Sequence, residues 1–166
     1  TLVRHGITAG CGSGDYCPDA AVRRDQMAVF LLKAVHGSDY VPPGCAGVCV
    51  DGPCPSLFAD WVEQLSEEGI TGGCGTGIYC PADPVLRQQM AVFLLKAEHG
   101  SGYEPPACQA SFDDVACPSL FADWIEQLAT ENITGGCSVA PPLFCPGNPN
   151  TRGQMAVFIT KTFGLQ

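Results

Sequence analysis

The stretch Gly69–Lys96, GITGGCGTGIYCPADPVLRQQMAVFLLK, decides the fold, because the chain carries it three times. Related copies run over Gly6–Lys33 and Asn132–Lys161. Each copy joins a glycine-rich loop with two cysteines to an apolar segment of helical periodicity. One such unit cannot bury its apolar face alone, so we expect the three copies to pack around a shared core.

Composition argues against two classes of partner. The 166 residues include only 8 Lys and Arg, and the net charge is −9. A nucleic-acid-binding face needs basic residues to neutralise phosphates, so we expect no nucleic acid. No run of about 18 apolar residues occurs, so we expect no membrane insertion. The chain opens inside a repeat and carries no initiator Met, which indicates a processed or partial product.

The eleven cysteines favour disulfides and an oxidising compartment. Zinc sites favour Cys pairs separated by two to four residues, and the recurrent spacings here are longer. The repeat indicates how ten of the cysteines pair, since the two members of each pair recur around equivalent short loops. The predicted bridges are Cys11–Cys17, Cys45–Cys54, Cys74–Cys80, Cys108–Cys117 and Cys137–Cys145. We expect no metal site and no cofactor.

Cys49 is left without a partner by this pattern. In the aligned linkers it stands where Phe112 stands in the next repeat. Two interpretations remain open: a buried free thiol in place of a core aromatic, or a disulfide between two molecules.

Apolar spacing predicts an all-α fold, with three helix-loop-helix repeats packed as a pseudo-threefold bundle and with loops stapled by disulfides. A short extended pairing near Ile70, Ile133 or the linkers remains possible. The sequence predicts one domain over 1–166, divided into a partial repeat (1–37) and two full repeats (38–100 and 101–166). The predicted helices run over Val22–His36, Ser56–Glu68, Val85–His99, Ser119–Glu131 and Arg152–Phe163, after a helix end at Thr1–His5.

Several motifs together resemble one known family. They are Phe112-Asp113-Asp114-Val115, Trp124, the GITGG loop and Thr151-Arg152-Gly153-Gln154, which is similar to a Thr-Arg-Ala-Glu motif. Over nearly its whole length the chain resembles the S-layer homology family in its cysteine-containing variety. The resemblance implies a prism of three repeats that attaches noncovalently to a cell-wall glycopolymer, commonly pyruvylated, in clefts between repeats.

The resemblance also implies a set of glycan-binding residues. The motif arginine falls on Arg24, Arg87 and Arg152, and a guanidinium at a helix N-terminus suits a carboxylate. Backbone N–H groups near glycines would approach the ligand, and tryptophans would stack on a sugar. These residues are Gly72, Gly73, Gly135, Gly136, Trp61 and Trp124. Each also has a structural interpretation: the arginines hold an acidic side chain or a loop carbonyl of the next repeat, the glycines make turns, and the tryptophans pack in the core.

The copies depart from the family motif at several positions. Arg23 and Leu86 replace the motif Thr, and Gln26, Gln89 and Gln154 replace its acidic residue. The first linker has also lost the Phe-Asp-Asp-Val pattern. The chemistry of the clefts is therefore expected to differ among repeats, or to be purely structural in some of them.

We expect no enzyme, because no catalytic triad, P-loop or metal motif occurs. Asp113 and Asp114 are at most a candidate calcium site. The first expected function is a non-catalytic extracellular module that binds cell-wall polysaccharide or another surface glycan. The second is a structural subunit that self-assembles head to tail into a surface layer or filament. The incomplete first repeat motivates the second, because the helix Val22–His36 is expected to lack its partner.

Overall fold

The structure, a computed structural model, describes residues 1–166 and contains five α-helices and one short β-hairpin. The helices are α1 (Arg24–His36), α2 (Ala59–Glu67), α3 (Arg87–His99), α4 (Ala122–Thr130) and α5 (Arg152–Thr162). The strands β1 (Ser138–Val139) and β2 (Pro142–Leu143) pair in antiparallel fashion. No helix has both the length and the apolar character needed to cross a membrane.

The all-α prediction was wrong. Helices make up 33% of the residues, and β1 and β2 form a two-stranded antiparallel sheet. The physical reason is the longer third cysteine loop. In the shorter loops the same backbone makes one isolated bridge, Gly12 with Asp15 and Gly75 with Ile78. The two additional residues of the third loop extend that bridge into a ladder of two residue pairs.

The two tryptophan-bearing helices, α2 and α4, begin later than predicted. The expected apolar face included Leu57 and Leu120, but both precede the helix and are 81% exposed. In the first turn of each helix, an aspartate binds the backbone of the preceding loop instead. Asp60 accepts the backbone N–H of Cys45 at 2.9 Å, and Asp123 accepts that of Cys108 at 2.9 Å. These carboxylates hold the preceding loop against the helix.

Each of the first two long helices packs against the tryptophan helix that follows it. The long helices are α1, α3 and α5; α1 packs against α2, and α3 packs against α4. The prediction that the helix Val22–His36 lacks a partner was therefore wrong. It assumed that each long helix pairs with the helix before it, whereas the long helix without a tryptophan helix beside it is α5.

A cyclic set of backbone hydrogen bonds ties the three copies together. The N–H of Val22 donates to Asn150 at 2.9 Å, that of Asn150 donates to Val85 at 2.8 Å, and that of Val85 donates back to Val22 at 2.9 Å. A second set repeats the pattern at the first residue of each long helix, which donates to the cysteine loop of another copy. Its bonds join Arg24 to Asp83, Arg87 to Asn148 and Arg152 to Ala20.

The three copies share one hydrophobic core. A single cluster of 28 buried residues runs through all of them, and Met27, Met90 and Met155 are fully buried at its centre. At the start of α5, Thr151 Oγ1 accepts the N–H of Gln154 at 3.2 Å, while Gln154 Oε1 accepts that of Thr151 at 3.1 Å. This reciprocal pair confirms the capping box predicted there.

Candidate functional site: clefts between repeats

The three motif arginines lie at equivalent places, each under the cysteine loop of another copy. Arg24 Nε donates to the carbonyl of Tyr79 at 2.8 Å, and Arg87 Nε donates to that of Phe144 at 2.8 Å. Arg152 Nε likewise donates to the carbonyl of Tyr16 at 2.9 Å. Each guanidinium also lies over the ring of the aromatic residue whose carbonyl it binds. The distance from Cζ to the ring centroid is 4.8–5.0 Å.

These guanidinium groups are buried without a carboxylate partner. Arg24, Arg87 and Arg152 are 3–4% exposed, and none of them forms an ion pair. Arg24 Nη2 reaches Thr71 Oγ1 at 3.5 Å and Arg152 Nη2 reaches Thr8 Oγ1 at 3.3 Å. Arg87 Nη2 has no hydrogen-bond partner at all. Burial lowers the pKa of Arg87, an effect that the charge of Asp114 opposes.

Arg152 and Arg24 each line an open cleft of their own. We call the first, of about 570 Å³, the Arg152 cleft and the second, of about 160 Å³, the Arg24 cleft. Each is walled by a GIT-type loop, the outer face of a long helix and the Phe that precedes a tryptophan helix. Equivalent residues line both: Thr8 and Thr71, Gln26 and Gln89, Phe30 and Phe93, Lys33 and Lys96, and Phe58 and Phe121.

The predicted glycines divide into two kinds. Gly73 and Gly136 have φ of +75° and +84°, and a Cβ on either would lie 2.3 Å from a backbone carbonyl oxygen, so both positions require glycine. Their N–H groups are already bonded to Thr71 and Thr134. Gly72 and Gly135, in contrast, are exposed, have open space around the Cβ position, and have no partner for the backbone N–H.

The tryptophans do not join the arginines. Trp61 and Trp124 are half-buried against the core, and neither lines the two clefts. The edge of each indole meets a tyrosine ring, Tyr40 or Tyr103, with 6.1 Å between centroids. Their packing matches the core interpretation given above.

All five predicted disulfide bridges are present, and Cys49 is a free, half-buried thiol. Partial burial raises the pKa of Cys49, and the charges of Glu63 and Asp51 raise it further. A raised pKa makes the thiol a weak nucleophile near neutral pH. This many disulfides is consistent with an extracellular protein.

Cys49 borders a cavity of about 230 Å³ that also touches Phe58, Val62 and Tyr79. In the next repeat the equivalent residue, Phe112, packs against Phe144 with 5.6 Å between ring centroids. We call the loop closed by Cys45–Cys54 the first linker loop and that closed by Cys108–Cys117 the second linker loop. The smaller side chain in the first linker loop leaves the space open.

Asp114 and Asp51 hold the cysteine loops in place. Asp114 accepts the N–H groups of Phe144 and Cys145, each at 2.7 Å. Asp51 accepts those of Tyr79 and Cys80 at 2.9 and 2.6 Å, so the first linker retains the aspartate although it lacks the rest of the motif. Partial burial by itself would raise the pKa of Asp51, but these N–H bonds and Arg24 bring it below its usual value.

Acidic and histidine side chains also meet at the ends of α1 and α3. His36 Nε2 lies 2.8 Å from Glu68, and His99 Nε2 lies 3.0 Å from Glu131 and 3.7 Å from Glu98. The groups Glu98, His99 and Glu131 are close enough to share a cation. All three side chains are solvent-accessible. Because the His–Glu contact recurs at the ends of both α1 and α3, we interpret it as a contact that holds each long helix to the end of its tryptophan helix.

Sequence reasoning did not assign the cleft threonines, lysines and phenylalanines. A signal was available for two of these groups, since the Thr of the GIT loop and the Lys near the end of the long helix recur in all three copies. Phe58 and Phe121 were placed inside predicted helices, so their position at the mouth of a cleft gave no signal.

A comparison with models of known protein families finds no match for this chain, and a search of curated proteins also finds none.

Proposed function

We propose that the chain is a non-catalytic extracellular module of the S-layer homology type, which attaches a protein to the cell surface by binding an acidic cell-wall glycopolymer. The ligand groups enter the clefts between repeats. One observation carries the proposal: three guanidinium groups are buried at equivalent positions and none of them forms an ion pair with a carboxylate.

A buried charge is costly unless a partner of opposite charge or a set of hydrogen bonds compensates it. Here each guanidinium has a carbonyl and aromatic rings as neighbours, and Arg87 Nη2 has no acceptor. In the two open clefts, a carboxylate from outside would give Arg152 or Arg24 a further acceptor and an opposite charge. A guanidinium offers paired N–H donors that match a carboxylate in plane and spacing.

The lining of the open clefts favours an anion. The chain holds 17 Asp and Glu against 8 Lys and Arg, yet neither cleft is lined by an acidic residue. Gln26 and Gln89 stand where the motif has an acid, and each still accepts the N–H of the N-cap residue just before its helix, Arg23 or Leu86. The glutamines thus keep the cap while leaving the clefts cationic, with Lys33 or Lys96 at the side.

The exposed loop glycine Gly72 offers the ligand a further hydrogen-bond donor. The free N–H group of Gly72 lies in the Arg24 cleft beside Thr71, which Arg24 contacts, and it can donate to a second oxygen of the same ligand. Gly135 is the equivalent glycine of the third copy. Ala9 stands at this position in the Arg152 cleft. We therefore expect the sugar contacts of the Arg152 cleft to differ from those of the Arg24 cleft.

The test is cosedimentation of the protein with purified cell-wall sacculi that carry pyruvylated polymer, compared with sacculi whose pyruvate groups have been removed by mild acid. We expect retention on the first and at least about a tenfold loss on the second, because the carboxylate would be gone. Gly72→Leu should reduce retention, since Gly72 lines the Arg24 cleft and a larger side chain there would take up space that the ligand needs.

Gly102→Leu is the matched control, because Gly102 also has open surroundings but lies outside both clefts. Arg24→Gln should also lower retention, because Arg24 lines an open cleft, while Arg4→Gln removes an exposed charge and should not. Equal retention on both kinds of sacculi, with every variant behaving like the parent, would contradict the proposal.

A further inference from the structure

The long helices α1, α3 and α5 present equivalent faces to their surroundings, but only two of these faces are covered. Ala28 on α1 and Ala91 on α3 are fully buried where α2 and α4 pack. The equivalent Ala156 on α5 is only partly buried. It borders a cavity of about 310 Å³ together with Thr1, Leu2, Val3 and Tyr16.

The loop aromatics show the same difference. Tyr79 and Phe144 are each 1% exposed, whereas the equivalent Tyr16 is half-exposed and borders the same cavity. The α5 face and Tyr16 therefore form one open apolar seat, which we call the α5 seat. The two equivalent seats, on α1 and α3, are covered by α2 and α4.

Unpaired backbone groups extend the seat beyond its apolar part. Asp51 accepts the N–H groups of Tyr79 and Cys80, and Asp114 accepts those of Phe144 and Cys145. The equivalent N–H groups, those of Tyr16 and Cys17, have no acceptor. They form a pair of donors at the place where the other two seats receive a carboxylate.

One turn beside the seat has the same structure as the last turn of each tryptophan helix. Ile7 N–H donates to Leu2 at 3.0 Å, as Ile70 donates to Leu65 and Ile133 donates to Leu128. Leu2 is buried like both of those leucines. Thr1–Gly6 thus reproduces the last turn of α2 and α4, and it borders the seat as they border theirs.

We propose that the α5 seat binds a polypeptide segment of the second-linker type: a disulfide-closed loop with an aspartate ten residues before the tryptophan of an acidic, amphipathic helix. The aspartate would accept the N–H groups of Tyr16 and Cys17. The helix would cover Ala156 and Tyr16. The two covered seats of this chain establish that such a segment fits this geometry.

The test uses the full 166-residue chain and an oxidised, C-terminally amidated peptide with the sequence of Ala107–Glu126, which stops one residue before the position that Thr1 fills. We expect saturable one-to-one binding, with a dissociation constant of about 10 µM, since a short segment loses entropy when it orders. Amide hydrogen exchange of Tyr16 and Cys17 should slow when the peptide is bound.

Peptide variants separate the parts of the seat. Asp114→Asn in the peptide should remove the protection of the Tyr16 and Cys17 amides, while Asp113→Asn changes an adjacent, exposed carboxylate and should keep it. Trp124→Ala in the peptide should weaken binding by about tenfold or more. In the protein, Ala156→Leu should fill the seat and abolish binding, whereas Val157→Gln, on the exposed neighbouring position, should not.

Thermal unfolding of Ala156→Leu checks that the variant is folded. Absence of binding to the folded parent chain would overturn the proposal, as would binding that Ala156→Leu leaves unchanged. Self-association of the chain that the peptide cannot reverse, without peptide binding, would assign the seat to a second copy and would equally overturn it.

Discussion

The first and second linker loops have the same polar framework and different apolar contents. Both are closed by a disulfide over nine positions, and both place an aspartate on two N–H groups of a cysteine loop. Phe112 fills the space beneath the second loop, while Cys49 leaves a cavity of about 230 Å³ beneath the first. The disulfide and the carboxylate thus set the backbone geometry of the loop, and the side chain beneath it can be either an aromatic ring or a small thiol.

We expect the largest effect from Phe112→Ala, which should lower the free energy of unfolding by about 3 kcal/mol, since a buried aromatic ring would be lost and a cavity left behind. Cys49→Ala should cost less than about 1 kcal/mol, because few contacts remain to be removed. Denaturation by guanidinium chloride under non-reducing conditions measures both. Similar losses for the two variants would mean that the loops do not differ in packing.

Removal of either disulfide should have the next largest effect and should be the same for both loops. Cys45→Ser with Cys54→Ser, and Cys108→Ser with Cys117→Ser, should each cost about 2–3 kcal/mol, because each bridge closes a loop of equal length. The paired substitutions also keep Cys49 from forming a new bridge with a leftover partner. A clear difference between the two losses in free energy of unfolding would show that the side chain under the loop, Cys49 or Phe112, changes how much the disulfide stabilises the protein.

Cys49→Phe should make the first linker loop resemble the second. We expect the free energy of unfolding to rise by about 1 kcal/mol as the ring fills the cavity over Tyr79. Thermal unfolding checks the direction, and Cys49→Ser serves as the control that removes the thiol without filling the space. A destabilised Cys49→Phe protein would show that the surrounding side chains have closed the space to an aromatic ring.

The smallest effect concerns the carboxylate of Asp51, whose pKa in the folded protein lies below its usual value. The stability that it contributes is therefore present above the ordinary carboxyl range of about pH 4 and is lost as the pH falls through the lowered pKa. Asp51→Asn should destabilise the protein near pH 6, and the difference from the parent should shrink towards pH 2. Asp19→Asn, on an exposed loop residue, should show no such convergence in pH-dependent thermal unfolding.

The repeat made much of this molecule predictable from its sequence. A disulfide pairing that recurs in register needs no three-dimensional information, and so ten cysteines could be assigned with Cys49 left over. The long helices were found for a similar reason, because Met27 and Met90 belong to strongly periodic apolar segments. Their positions in the core follow from that periodicity.

The errors arose where a tertiary contact decides the outcome. Helix pairing depends on which copy a loop reaches, so the neighbour of α1 could not be read from chain order. Leu57 and Leu120 fit the apolar pattern of a helix, but both lie in the exposed segment before it, next to the loop that Asp60 or Asp123 binds. For the candidate site, the arginine positions were predictable, whereas the lack of a carboxylate around them depends on residues distant in sequence.

The cyclic hydrogen bonds among Val22, Val85 and Asn150 have a consequence for how this chain can be made and altered. In an open array, a repeat can be gained or lost while its neighbours keep their contacts. Here, deletion of any copy would leave one donor and one acceptor unmatched in what remains, so the copy number is constrained to three. During synthesis, the carbonyl of Ala20 cannot accept its hydrogen bond from the N–H of Arg152 until Arg152 has left the ribosome. We expect the first two copies to stay loosely ordered until then.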